Sequence, residues 1–257
     1  MQRLRTIVSR AGLVLFALTL LMPLAAAGEE GAPGKIADIW VFYPKAGQEA
    51  QFESAVKEHV AWRKASGDPF RWTAFVPVVG TDMAHYVFYS GGHQWKDLDA
   101  QDAWAKGAKA GAKFAEQVGA YVERYEHELS ELDDKHSRWK ESEEYRFFGR
   151  SVLQLRPGAY GEMLEALGKV HKAATDGDWP YSYSVSWKIG GAGGMAVVYP
   201  YKSWADMADP ETPFLKVLAA SVGSEEEAKK VMEQLNRSFE SSVYTIYELR
   251  PDLSTQK

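Results

Sequence analysis

Two histidines, His59 and His171, occupy matching positions in two similar segments, FESAVKEHVAW (52–62) and LEALGKVHKAA (164–174). A helix histidine beside an aromatic pocket would ligate haem iron or act as a general base, because its ring titrates near neutral pH. Alternatively, each ring lies at the edge of a helix–sheet core. The pattern favours packing, so we expect no cofactor, with haem binding through His59 or His171 as the alternative.

A second set of titratable residues lies on segments with strand-like alternation. It comprises His85, Arg71 and a glutamate of the Glu126-x-Glu128 pair. A carboxylate beside an imidazole is a general-base arrangement, so His85, Arg71 and Glu128 are the candidate catalytic residues. The two glutamates would equally suit a solvated strand face. Whether the chain is an enzyme therefore stays open.

The segment PYSYSVSW (180–187) alternates aromatic or apolar residues with serines. Successive strand residues point to opposite faces, and burial of a large apolar side chain is worth about 1.5–3 kcal/mol. We therefore predict that Tyr183 and Val185 face helices while the serines line an internal space. The strand RSVLQLR (150–156) would add polar contacts there. The candidate ligand-binding residues are Ser182, Ser184, Ser186, Gln154 and Arg156.

Several kinds of chemistry lack their residues in this sequence. There is no cysteine, which excludes thiol catalysis, disulfides and cysteine metal sites. The remaining histidines show no metal-ligand spacing, so no metal is expected. The net charge is −5, and a mildly acidic chain with mixed signs argues against nucleic acid as a partner.

The elements that would position these residues are predicted to occur twice. Each half has the predicted order β-α-β-β-α-β, over residues 36–132 and 146–252, with a charged linker at 133–145. Matched segments recur in the same order in both halves, which indicates an internal repeat. This order is that of the ferredoxin-like unit. The fold class is predicted to be α+β, with two tandem repeats whose antiparallel sheets pack face to face as an α/β barrel.

Tandem units of this kind, with Trp95-x-Asp97 and Trp204-x-Asp206 after their third strands, resemble the dimeric α/β-barrel superfamily. Within it, the sequence is most similar to the NIPSNAP-like and antibiotic-biosynthesis-monooxygenase-like branches. The resemblance implies an α/β barrel whose relatives include cofactor-independent monooxygenases, isomerases and haem-binding enzymes. With the serine-lined inner face, we expect an exported barrel that holds a small apolar or aromatic ligand. The alternatives are a cofactor-independent monooxygenase or isomerase acting on an aromatic substrate, a haem-binding protein, and a structural or interaction module. A homo-oligomer is a further expectation.

The first residues have the composition of a secretory signal peptide. Three arginines precede an apolar run over 13–21, and small residues follow at 25–27. We predict a signal peptide over 1–27 that is cleaved after Ala27. The apolar run is short for a bilayer span, so no stable membrane insertion is expected after cleavage. The predicted location is periplasmic or secreted.

Overall fold

A computed structural model describes residues 34–142, 144–190 and 193–255. The predicted signal peptide lies outside these residues. Among the described residues, no helix is both long enough and apolar enough to cross a membrane.

Eight strands and six α-helices make up the described fold. The first half contains β1 (Ile36–Pro44), α1 (Glu49–Ala65), β2 (Thr73–Val79), β3 (Tyr86–His93), α2 (Trp95–Gly107), α3 (Ala110–Gln117) and β4 (Val122–Leu132). The second half contains β5 (Phe147–Leu155), α4 (Tyr160–Asp176), β6 (Ser184–Ile189), β7 (Met195–Tyr201), α5 (Phe214–Val222), α6 (Glu225–Arg237) and β8 (Phe239–Leu249). The same order of elements therefore occurs in both halves.

Each half has two helices where the sequence predicts one second helix. Lys109, between α2 and α3, has a left-handed backbone with φ of 54°. Gly223, between α5 and α6, has φ of 98°. A residue in the left-handed region ends a helix, so two helices lie in each half where one was predicted. Ser224 then caps α6 by accepting a hydrogen bond from the Glu227 amide, and the Glu227 carboxylate pairs with Lys230.

The eight strands form one closed antiparallel barrel in the order β1-β3-β2-β8-β5-β7-β6-β4. The two four-stranded sheets are joined edge to edge, through β2 with β8 and β4 with β6. The sequence predicts sheets that pack face to face, whereas the structure hydrogen-bonds their edges. Each strand of the described barrel thus has two paired neighbours, which satisfies backbone groups that an open sheet would expose.

The helices cover the outside of the barrel and bury one face of each sheet. In α1 the buried residues recur at helical spacing, namely Phe52, Ala55, Val56 and His59. They belong to a core with Ala74 and Phe88 of the strands and with Trp72, which directly precedes β2. In the second half, Met163 and Leu167 of α4 meet Tyr183, Val185 and Val197. The prediction that Tyr183 and Val185 face helices is confirmed.

The end of the chain binds the first half. Arg250 forms two hydrogen bonds with the Glu53 carboxylate, at 2.8 and 2.7 Å. The Thr255 amide donates to the Trp72 carbonyl at 2.8 Å. The Arg250 guanidinium holds the pKa of Glu53 below its usual value. Residues 250–255 therefore connect the second half to the outer core of the first.

Candidate binding site inside the barrel

A chain of polar contacts crosses the barrel interior. The Glu128 carboxylate accepts hydrogen bonds from Arg150 Nη2 at 2.9 Å and from Lys188 Nζ at 2.7 Å. Glu128 is on β4 and Arg150 on β5, and two strands separate these in the barrel order. Their contact must therefore pass through the interior. We call Lys188, Glu128, Arg150, Tyr247 and His85 the polar belt.

The belt continues from Arg150 to a tyrosine–histidine pair. The hydroxyl of Tyr247 lies 3.2 Å from His85 Nε2 and also contacts Arg150. His85 Nδ1 is buried and has no hydrogen-bond partner among the described residues, and Oδ1 of Asp82 lies 3.7 Å away. Burial lowers the pKa of His85 and raises that of Tyr247, so both are neutral near pH 7.

The interior around the belt is accessible to solvent. The side chains of Glu128, Arg150 and Lys188 remain 18%, 22% and 26% exposed although they lie inside a closed barrel. Tyr89 gives the same indication, since it points inward from β3 and 40% of its surface remains accessible. A side chain that faces a hollow is expected to be surrounded by protein and still to keep part of its surface accessible.

Aromatic side chains line one end of this hollow. The Phe75 and Phe148 rings are 5.1 Å apart, and Tyr145 of the linker lies 6.5 Å from Phe148. Tyr89 faces inward because its neighbour Phe88 belongs to the helix-facing core. We call Phe75, Phe148 and Tyr145 the aromatic end. A Cβ at Gly91 would overlap the Tyr89 hydroxyl, so glycine at this position lets the ring lie along its strand.

The opposite end of the interior is polar. The Arg124 guanidinium lies 3.3 Å from the centre of the Tyr43 ring and pairs with Glu126. The Tyr43 ring is in turn 5.5 Å from that of His85. The interior therefore has aromatic side chains at one end and the polar belt in the middle. At the other end lies the Arg124–Glu126 ion pair, whose two charges cancel.

The structure brings together only part of the predicted catalytic set. His85 and Glu128 both belong to the polar belt. Arg71 is exposed and lies just before β2. Because Thr73 of β2 pairs with Tyr89 of β3, Arg71 lies toward the end of β3 that is farther from His85. Arg71 is therefore remote from His85, and the position that the hypothesis gave to Arg71 is occupied by Arg150.

The predicted ligand-binding residues also divide into two groups. Ser184, Ser186 and Gln154 lie on the inner face of the barrel and are half-buried. Ser182 precedes β6, and its hydroxyl accepts the amide of Lys140 in the linker. Arg156 follows β5, is exposed, and donates to the Phe239 carbonyl. Ser182 and Arg156 therefore lie outside the strands themselves, and each contacts protein backbone.

His59 and His171 lie in the helix layer, away from the polar belt. His59 Nδ1 donates to Gln117 Oε1 at 3.0 Å, and its buried Nε2 faces a site packed by Trp62 and Phe114. The two ring nitrogens of His171 contact the hydroxyls of Tyr183 and Thr175, at 3.0 and 3.5 Å. A porphyrin would have to displace these neighbours, so neither histidine fits an axial haem ligand as arranged.

Comparison with known proteins supports the fold. No protein-family model matches the sequence, and no curated protein is significantly similar to it. Among solved structures, an anthrone oxidase-like protein is similar, with a TM-score of 0.53, 11% identity, and coverage of 87% of this chain and 94% of the other.

Two further solved structures are similar over most of their length. One is a protein described as a monooxygenase from Lactobacillus acidophilus NCFM, with a TM-score of 0.53, 8% identity, and coverage of 87% and 96%. The other is a variant chlorite dismutase from Candidatus Nitrospira defluvii, with a TM-score of 0.53, 8% identity, and coverage of 86% and 94%. At these identities the similarity shows the fold alone, which is a ferredoxin-like α+β barrel.

Three residues of the polar belt were not predicted, namely Arg150, Lys188 and Tyr247. A signal for each was present in the strand alternation. Arg150 shares its face with Gln154, and Lys188 continues the series that contains Ser186. Alternation thus identifies the inner face, but it does not reveal which residues of different strands meet across the barrel.

Proposed function

We propose that the barrel interior binds a small ligand with an aromatic part. The observation that carries this proposal is a solvent-accessible polar belt directly beside an aromatic end. Ligand sites combine apolar walls with a few convergent polar groups, and this interior has both. A purely structural barrel would be expected to fill its interior with apolar side chains.

Native mass spectrometry of protein purified from its own host tests this proposal, because it detects a retained ligand without a prior guess. Ser186→Phe places a large ring on the inner face, whereas Ser242→Phe places the same ring at an exposed position opposite Leu153. The wild type and Ser242→Phe should carry the same additional mass, and folded Ser186→Phe should lack it. Absence of bound ligand in all three proteins, together with no binding of added aromatic compounds, would count against the proposal.

A second candidate function is proton removal from the bound ligand, as a cofactor-independent monooxygenase or isomerase would require. The observation that favours it is the contact between His85 and Tyr247, because a neutral imidazole can accept a proton through the phenol. Turnover of quinols under oxygen tests this function. Tyr247→Phe should lower kcat strongly with little change in KM, and a variant with unchanged kcat would exclude this role.

The repeat and the branch within the superfamily are part of the same proposal. We infer that the two halves arose by duplication and that the chain is related to the NIPSNAP-like or monooxygenase-like branch. The order of strands supports a duplication, since β4-β1-β3-β2 in the first half corresponds to β8-β5-β7-β6 in the second. His59 and His171 also occupy equivalent helices. Reconstructed ancestral sequences of the two halves should converge, and divergence would contradict the inference.

We also propose that the chain is exported to the periplasm or beyond the cell after cleavage at Ala27. The composition of residues 1–27 supports this location. The intact mass of the protein from its host should match a chain that begins at Gly28. Recovery of uncleaved protein from the cytoplasm would contradict export.

A homo-oligomer is the last part of the proposal. Several large aromatic side chains are exposed to solvent, including those of Trp95, Tyr125, Tyr160 and Trp204. Exposed aromatic side chains are enriched at protein interfaces. Light scattering coupled to gel filtration should give a mass above that of one chain, and a monomer at all concentrations would contradict the proposal.

A further inference from the structure

We propose that the ligand is a small aromatic monoanion, a carboxylate or a phenolate, whose charged oxygen binds between Arg150 and Lys188. This inference rests on the proposed function, because it defines the chemical class of the ligand that the barrel holds. It depends on the charge balance of the polar belt and on the position of the belt beside the aromatic end.

The polar belt has one more positive than negative charge. Arg150 and Lys188 both bind the single carboxylate of Glu128, one at each oxygen. The other ion pair that faces inward along the described strands, Arg124 with Glu126, is neutral in itself. An anion that binds beside Glu128 would therefore neutralise the interior.

The neighbouring groups do not supply the missing negative charge inside the barrel. Tyr247 and His85 are neutral near pH 7, because burial raises the pKa of the phenol and lowers that of the imidazole. Asp82 lies 3.7 Å from His85, but its side chain is 52% exposed, on the turn between β2 and β3. Solvent therefore screens its charge from Lys188 and Arg150. An unmatched cation in a partly buried site favours an anionic partner.

The inference that the ligand carries an aromatic ring follows from the spacing of Phe148 and Arg150 along β5. Phe148 and Arg150 are successive inward-facing residues of this strand, because Ser151 and Leu153 take the alternate face. Phe148 also pairs with Tyr247 across the β5–β8 ladder. A ring that packs on Phe148 and Phe75 would thus place an attached carboxylate at the Arg150 guanidinium. Arginine presents several donors in one plane, which suits a carboxylate.

Calorimetric titration with 1-naphthoate and 1-naphthamide tests this proposal, since the two probes have nearly the same size but differ in charge. The wild type should bind 1-naphthoate at least about tenfold more tightly than 1-naphthamide. Lys188→Met should abolish this preference, because it leaves the belt neutral. Glu128→Gln should increase the preference, because it leaves two positive charges without a carboxylate. The matched control is Lys202→Met, which removes an exposed lysine that pairs with Glu144.

The outcomes separate this inference from the function on which it rests. Equal affinity of the wild type for the two probes would overturn the monoanion and leave the binding function intact. Failure of both probes to bind would overturn both proposals. Loss of binding in folded Ser186→Phe is required to place the probes inside the barrel, and unchanged binding would reject the site. If Lys188→Met does not fold, Glu128→Gln decides, because a weaker preference for 1-naphthoate in this variant would contradict the charge argument.

Discussion

The two faces of the same strands differ in what they contact. The outer face meets the helices through fully buried apolar residues, such as Val185 beneath α4. The inner face, only one residue away at Ser184, remains partly accessible and borders a belt of charged and hydroxyl groups. Stability is thus concentrated between sheet and helices, which leaves the interior of the barrel free to hold polar groups that packing alone would not favour.

The largest effect should come from breaking the outer core. Phe52 is fully buried, and its ring lies 4.9 Å from that of Tyr86. Phe52→Ala should lower the free energy of unfolding by about 3–5 kcal/mol, because it removes buried surface and leaves a cavity. Urea denaturation followed by circular dichroism measures this loss. A change below about 1 kcal/mol would show that the outer core does not dominate stability.

A smaller loss should follow from Glu128→Gln on the inner face. This change leaves Arg150 and Lys188 close together without their shared counter-charge, and it should cost about 1–3 kcal/mol, less than for a fully buried pair because solvent reaches the belt. The double variant Glu128→Gln/Lys188→Met should recover part of the loss. A double-mutant cycle measured by urea denaturation gives the coupling, and strict additivity would contradict a shared belt.

Acid should destabilise the outer core through His59. Burial lowers the pKa of this histidine, while Gln117 and Asp68 oppose the shift and Arg63 and Lys113 reinforce it. The pKa of His59 is lower in the folded protein than in the unfolded chain, where it is near 6.5. The stability that depends on the neutral ring is therefore fully present above pH 6.5 and is lost as the pH falls through the pKa of the folded state.

The free energy of unfolding should therefore decrease below about pH 6.5, by at most about 1.4 kcal/mol per pH unit for each such histidine. Measurements of urea midpoints between pH 7.5 and 5 test this decrease. His59→Gln should make the dependence shallower, with the exposed Lys202→Met variant as a control. An unchanged slope in His59→Gln would assign the effect to other groups.

The smallest effect is expected for Ser184→Ala, which should change stability by less than about 0.5 kcal/mol because the position is partly solvated. Val185→Ala at the adjacent, buried position should cost clearly more. The two variants together compare the faces at one point of β6. Equal effects in thermal denaturation would show that the inner face is packed as tightly as the outer.

The sequence predicted which face of a strand packs, but not which residues meet inside the barrel. Tyr183 and Val185 were assigned correctly because alternation is a local property that burial enforces. Glu128 was recognised as a candidate, yet its partners Arg150 and Lys188 were not. They come from strands of the other half, and their approach to Glu128 depends on the register of β4 with β6, where the two halves join. That register is a property of barrel closure, which no single segment encodes.

The edge-to-edge joins have a consequence for association between chains. Each join pairs a strand of one half with a strand of the other, so the complementary surfaces are the same whether the halves belong to one chain or to two. If the linker extends, two molecules can exchange halves and build two complete barrels from identical contacts. Such domain swapping needs no new interface, and its extent would be set by protein concentration and by the barrier to opening both joins.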